Sequence, residues 1–210
     1  MKIKTLLLLA LPLLFFSSIG FAGWDRKPEF RFNQLYRFDL RKHDHQLYTN
    51  RISAGFLYRD TQEKALFKLE PFFEARRNLK KGIWERELLG IEIGKDIFPW
   101  VYLGEAIQQS WIKEDYRYHT IFESKNHAES VTRLLFSRNI LSNDHIKLKG
   151  FVLDEYTFDF DRGAGICNEV AIGVIAPITK YVEAGVNWRH IDRIHYYDSD
   201  TFEASVTLVF

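Results

Sequence analysis

The chain has 210 residues, of which 46% are hydrophobic, 27% charged and 16% aromatic, with 29 Lys+Arg against 28 Asp+Glu. This balance excludes a disordered chain, which would be poor in aromatics, and a broadly basic nucleic-acid binder; a single cysteine, Cys167, excludes an intramolecular disulfide and a cysteine-built zinc site. What remains to be explained is 18 Phe, 10 Tyr and 5 Trp in a chain of slightly polar mean hydropathy, so that many rings must sit beside many charges.

Residues 1–22 read MKIKTLLLLALPLLFFSSIGFA. Lys2 and Lys4 precede an apolar stretch from Leu6 to Phe16 and then a small-residue region, the layout of a secretory signal peptide. Gly20 and Ala22 suit a cut between Ala22 and Gly23, and no Cys follows to carry a lipid anchor. Losing these 22 residues and two Lys leaves one domain, 23–210, with 188 residues and 27 positive against 28 negative side chains. Beyond the leader the longest mostly apolar run, Val170–Ile178, has nine residues including Gly173 and Pro177, too short to cross a membrane as a helix.

The mature chain alternates. In Glu29–Arg41 the even positions are Phe30, Phe32, Gln34, Tyr36, Phe38 and Leu40, while the odd ones include Glu29, Arg31, Arg37, Asp39 and Arg41. A period of two with one apolar and one charged face is a strand buried on one side, and helical spacing would mix the two sets. The same pattern predicts strands over 28–42, 46–60, 64–77, 83–95, 100–114, 127–139, 145–160, 166–177, 180–193 and 200–210, separated by turn chemistry such as Asn78 to Gly82 and Asp161 to Gly165. In the fifth the two faces are nearly equal in polarity, and we expect Glu105 to point inward with Val101, Leu103, Ile107 and Gln109, because a charge facing lipid is costly. Ten strands are expected, with eight or twelve as alternatives. Short connections at 60–63, 96–99, 140–144 and 177–180 contrast with longer ones at 115–126 and 192–199, an asymmetry of outer-membrane barrels.

The last strand places Phe202, Ala204, Val206, Leu208 and Phe210 on one face and Thr201, Glu203, Ser205 and Thr207 on the other. With its terminal Phe it resembles the closing strand of bacterial outer-membrane β-barrels, and the leader and strand pattern extend that resemblance over the whole chain. The resemblance implies an all-β, up-and-down antiparallel transmembrane barrel in the outer membrane of a Gram-negative bacterium. It also implies recognition of the last strand by the barrel-assembly machinery, and lipid and lipopolysaccharide as surroundings. A monomer without cofactor, metal or nucleic-acid partner is expected.

On the outward faces, Phe30, Tyr58, Phe67, Trp100, Phe136 and Phe210 gather toward one end and Tyr48, Phe73, Phe158, Trp188 and Phe202 toward the other, as two interfacial belts. A soluble barrel with its greasy face inward shares the alternation and is the competing reading. The opposite face carries Arg31, Arg37, Arg51, Lys68, Arg86, Arg133, Lys147, Lys149 and Arg189 against Glu70, Glu74, Glu92, Glu105, Glu129, Glu155, Glu169, Glu183 and Glu203. Ten strands enclose little more room than eight, so these side chains should pair across a plugged or very narrow lumen, with no ring of one sign.

Three motifs bear on chemistry. His190, Asp192, His195 and Asp198, with Asp200, surround the last loop, where a His/Asp pair activates water in a rim hydrolase. The segment resembles the His-x-Ser-Asn strand of barrel lipid A deacylases, but Asp192 stands where the nucleophilic Ser belongs. His43 and His45 form a hairpin with two possible metal ligands and no third, and Asp159, Asp161 and Gly163 suggest a turn instead of a calcium loop. The expected function is a non-enzymatic barrel with a structural or surface-interaction role, ahead of a rim hydrolase acting on lipid or peptide and a narrow solute channel.

Overall fold

The structure is a computed structural model describing residues 23, 28–40, 46–59, 65–112, 126–142, 147–193 and 198–210. The leader through Ala22, the histidines 43, 45 and 195, and the longest connection lie outside the described residues.

Ten strands follow one another: β1 (Glu29–Asp39), β2 (Gln46–Arg59), β3 (Ala65–Asn78), β4 (Ile83–Phe98), β5 (Val101–Ile112), β6 (Asn126–Ser142), β7 (Lys147–Asp159), β8 (Ala164–Thr179), β9 (Val182–Arg193) and β10 (Ser199–Val209). Each pairs antiparallel with its sequence neighbours, and β10 pairs with β1 to close the barrel. Closure removes both sheet edges, which an open sheet would leave unpaired. It extends to the last residue, since Phe210 donates its N–H to the Phe30 carbonyl at 2.9 Å and accepts from the Phe30 N–H at 3.2 Å. The described part of the chain contains no helix.

The barrel is apolar outside and polar inside. Ile52, Ile107 and Ile172 are each more than half exposed on the outer wall, while Glu203, Glu129 and Glu92 are 0%, 1% and 4% exposed. Trp100 lies 6.1 Å from Phe136, and Tyr58 stacks on Phe67 at 4.9 Å, near the end of the barrel that carries the strand termini, where β1 begins and β10 ends. Trp188 and Phe202 are paired in register toward the opposite end. The one apolar cluster described inside the wall is small: Phe72, Leu88 and Ala106, with Val131 against it.

Turns follow local chemistry. Asp159 accepts the backbone N–H groups of Asp161 (2.8 Å) and Arg162 (3.3 Å), and Gly163 takes φ +63°, so this segment is a side-chain-capped turn.

Strand β5 departs from expectation. Tyr102, Gly104, Ala106, Gln108 and Ser110 face inward, whereas Leu103 and Ile107 are exposed on the outer wall together with Glu105. Two inner-wall requirements determine this. Gly104 and Ala106 leave the space through which Arg133 of β6 reaches Glu92 of β4, and Tyr102 donates to Glu92 at 2.8 Å. Outside, Glu105 accepts a 2.6 Å hydrogen bond from Thr132, which partly offsets its placement on an apolar face.

The phenol of Tyr102 lies where a Cβ on Gly94 would stand. Gly94→Val therefore displaces Tyr102 from Glu92 and should lower stability by about 1–3 kcal/mol, as overpacking does. Urea titration of the detergent-folded barrel, followed by Trp fluorescence, measures this; an unchanged midpoint contradicts the packing.

Candidate functional site

The inner wall carries a belt of shared carboxylates. Arg37 of β1 contacts Glu203 of β10 at 2.5 Å, and Arg189 of β9 contacts the same Glu203 at 3.2 Å. Arg189 also reaches Glu169 of β8 at 2.7 Å and Glu155 of β7 at 2.6 Å. Glu155 is shared with Arg133 of β6 at 2.6 Å, and Arg133 grips Glu92 of β4, also at 2.6 Å. Arg51 of β2 takes the same Glu92 oxygen at 3.5 Å and Glu74 of β3 at 3.9 Å, and Arg76 contacts Glu74 at 2.6 Å. Nine strands contribute charge to this belt; β5 supplies Gly104 and Ala106, over which it passes.

Alternation places these groups on the inner face, and cross-strand register brings opposite signs together. Guanidinium suits the task because its fixed fork spans two carboxylates on different strands. An unpaired charge in such a confined space is costly, so the pairing is a condition of folding. Arg86 pairs with Glu129 and Lys68 with Glu70 beside the belt, while Arg51 also lies 3.9 Å over the ring of Phe72.

Two cavities occupy the lumen. One of about 530 Å³ opens toward the end carrying the termini and is lined by Arg31, Lys68, Glu70, Glu92, Lys95, Asp96 and Tyr102, among others. The second, about 490 Å³, extends toward the opposite end past Arg37, Glu74, Glu129, Glu155, Glu169, Arg189 and Glu203. Both are lined by the same six residues, Asn33, Arg51, Arg133, Leu135, Ser137 and Lys149, which form a waist between them. The two linings together carry eleven basic and eight acidic side chains.

Of the fifteen residues expected in the lumen network, Arg31, Arg37, Arg51, Glu70, Arg86, Glu92, Glu129, Arg133, Lys149, Glu155, Glu169, Arg189 and Glu203 line these cavities. Glu183 sits opposite Thr207, a residue of the inner face near the termini. Glu105 is the exception, on the outside. Arg76, Arg193 and Tyr102 belong to the lining as well, and the even spacing of β3 already placed Arg76 in line with Glu74. Lys149 has no ion-pair partner among the described residues.

At the rim away from the termini, His190 Nδ1 lies 2.8 Å from Asp200 Oδ1 on the outer wall, with the imidazole stacked near Trp188. The register neighbours of His190 are Val170 and Asp200, neither of them a nucleophile. Asp192 and Asp198 are exposed, and Asp192 is opposite Asn168. Cys167 is half-buried in the lumen lining, its sulfur 3.9 Å from Glu169.

No family model matches the chain, and no curated protein matches it. Solved structures similar in fold include the KdgM porin in complex with disordered oligogalacturonate, at 8% identity over 87% of this chain and 99% of that one, with a TM-score of 0.46. Others are the NanC porin, at 9% identity over 86% and 98% with a TM-score of 0.40, and Neisserial surface protein A, at 14% over 90% and 98% with a TM-score of 0.28. These are likenesses of the barrel fold alone.

Arg189→Met removes one guanidinium from three carboxylates and should cost about 3–5 kcal/mol, the penalty for breaking a buried pair from one side. Lys149→Met, which breaks no ion pair, should stay within about 0.5 kcal/mol. Parallel urea unfolding curves compare the two variants; equal midpoints would show that the belt does not hold the fold.

Proposed function

We propose that this chain is a small outer-membrane β-barrel of a Gram-negative bacterium, without enzymatic activity. Its lumen is a very narrow, charge-lined passage for water and small polar solutes. What carries the membrane reading is the inversion of the barrel, with isoleucines exposed on the outer wall and carboxylates buried on the inner one. A water-soluble barrel buries its apolar face, and exposed apolar patches of this extent mark contact with lipid or partner. Interfacial rings at both ends and the apolar outer face of β10, from Phe202 to Phe210, support the same reading. On it, the end with the termini is periplasmic, the lumen is closed to large solutes, and the last strand is the element the assembly machinery engages.

Two adjoining cavities of about 530 and 490 Å³ favour a narrow conduit over a completely filled plug. The belt lies around the wall, each pair linking strands two or fewer apart, apart from the Arg37–Glu169 contact. A rim hydrolase has only the His190–Asp200 contact in its favour, with no nucleophile in register beside it.

Full-length protein expressed in a Gram-negative host should be recovered in the outer-membrane fraction and migrate faster in detergent gels before boiling than after; a soluble periplasmic species overturns the proposal. Ile172→Arg, mid-wall and exposed, should cost about 2–4 kcal/mol in lipid vesicles. The same change on a soluble surface would fall within about 0.5 kcal/mol, so this variant separates the two readings by urea titration.

A further inference from the structure

We propose that the waist of the lumen selects small anions, an inference that rests on the narrow-conduit reading above. Any solute crossing between the two cavities must pass Asn33, Arg51, Arg133, Leu135, Ser137 and Lys149, since these residues line both. Three of the six are cationic and none is acidic.

The carboxylates nearby do not cancel this. Arg51 and Arg133 converge on one oxygen of Glu92, at 3.5 and 2.6 Å, and each reaches one further carboxylate, Glu74 at 3.9 Å from Arg51 and Glu155 at 2.6 Å from Arg133. Their side chains are 20% and 24% exposed, against 5% for Glu92, 9% for Glu74 and 12% for Glu155. The acid therefore lies behind its partners and the passing solute meets the cations. Tyr102 donates to Glu92 as well, so the oxygens of that carboxylate are engaged by the wall.

Lys149 supplies the uncommitted charge. It is exposed on the inner face, paired in register with Ile175 of β8 and Asn139 of β6, and makes no ion pair among the described residues. The bidentate and shared pairs are fixed by their own geometry, whereas an ammonium on a flexible stem is free to meet a mobile anion. A ring of Lys and Arg at a constriction is the arrangement that admits anions and repels cations, and low-dielectric walls strengthen its field. Nothing at the waist discriminates further among anions, so the class is small, hydrated and singly or doubly charged, with chloride as the simplest member.

The experiment uses the full-length exported protein, refolded in detergent and inserted in planar bilayers across a potassium chloride gradient. Wild type should conduct weakly, with a reversal potential that reports chloride as more permeant than potassium. Lys149→Glu should lower the chloride-to-potassium permeability ratio by about fivefold or more, as expected for reversing one charge on the wall of the path. Lys149→Gln should fall between the two, and heat-modifiable migration verifies that each variant is folded. A cation-selective wild type, or a ratio unmoved by Lys149→Glu in a conducting barrel, overturns the anion assignment and leaves the conduit reading intact. Absence of conductance at every voltage overturns both.

Discussion

The fold depends on one constraint: charge facing a confined lumen must be neutralised there, by groups the wall itself supplies. Five arginines and five glutamates meet this by sharing. Glu203, Glu155, Glu92 and Glu74 each serve two guanidiniums, and Arg189 serves three carboxylates. A shared pair fixes more than energy. Shifting any strand by one residue turns its charges to the outer wall and strands their partners, so the belt and the outer apolar face specify the same register from opposite sides. Arginine's fork makes this specific where lysine's point charge would tolerate a slip.

Strand β5 displays the order of precedence among these forces. Its alternative orientation would bring Glu105 inside and put Tyr102, Gly104 and Ala106 outside, relieving the outer face of an acid. It would also drive Leu103 and Ile107 into the gap through which Arg133 meets Glu92. The observed orientation keeps the belt continuous and leaves Glu105 with Thr132 as its donor. A single exposed carboxyl with a hydrogen bond is a smaller cost than a severed buried pair, which is worth about 3–5 kcal/mol.

The ten strands were legible in the sequence because alternation is a local signal: the expected β2 and β9 differ from the observed ones by at most two residues at each end. Orientation was legible wherever one face was clearly apolar, as in β1 and β10, and failed in β5, where the faces were balanced and the decision came from β4 and β6. The identity of the pairs was not legible, because Arg189 and Glu155, or Arg133 and Glu92, belong to strands two apart, and the second pair meets over Gly104 and Ala106 of the strand between. Counting inward charges also left open which of them line the cavities. Nine against nine describes the faces of isolated strands, and it omits Arg76 and Arg193 while counting Glu105. It says nothing of which groups lie in front. The His190–Asp200 contact is the counter-example, a pair ten residues apart whose adjacency follows from a single hairpin.

On the narrow-conduit reading, the belt that lines the lumen also decides what kind of selectivity is left to it. Where every cation is matched and masked, a narrow lumen is indifferent to sign and merely excludes by size. At the waist Glu92 is sequestered against the wall while Arg51 and Arg133 are its more exposed partners, so on the proposed conduit the acid that holds these arginines in place also leaves them to present the charge. Lys149 lies outside the belt and makes no ion pair among the described residues. A barrel built this way can vary its preference at one unpaired position while the structural pairs stay fixed, since independent sites contribute additively and shared pairs do not.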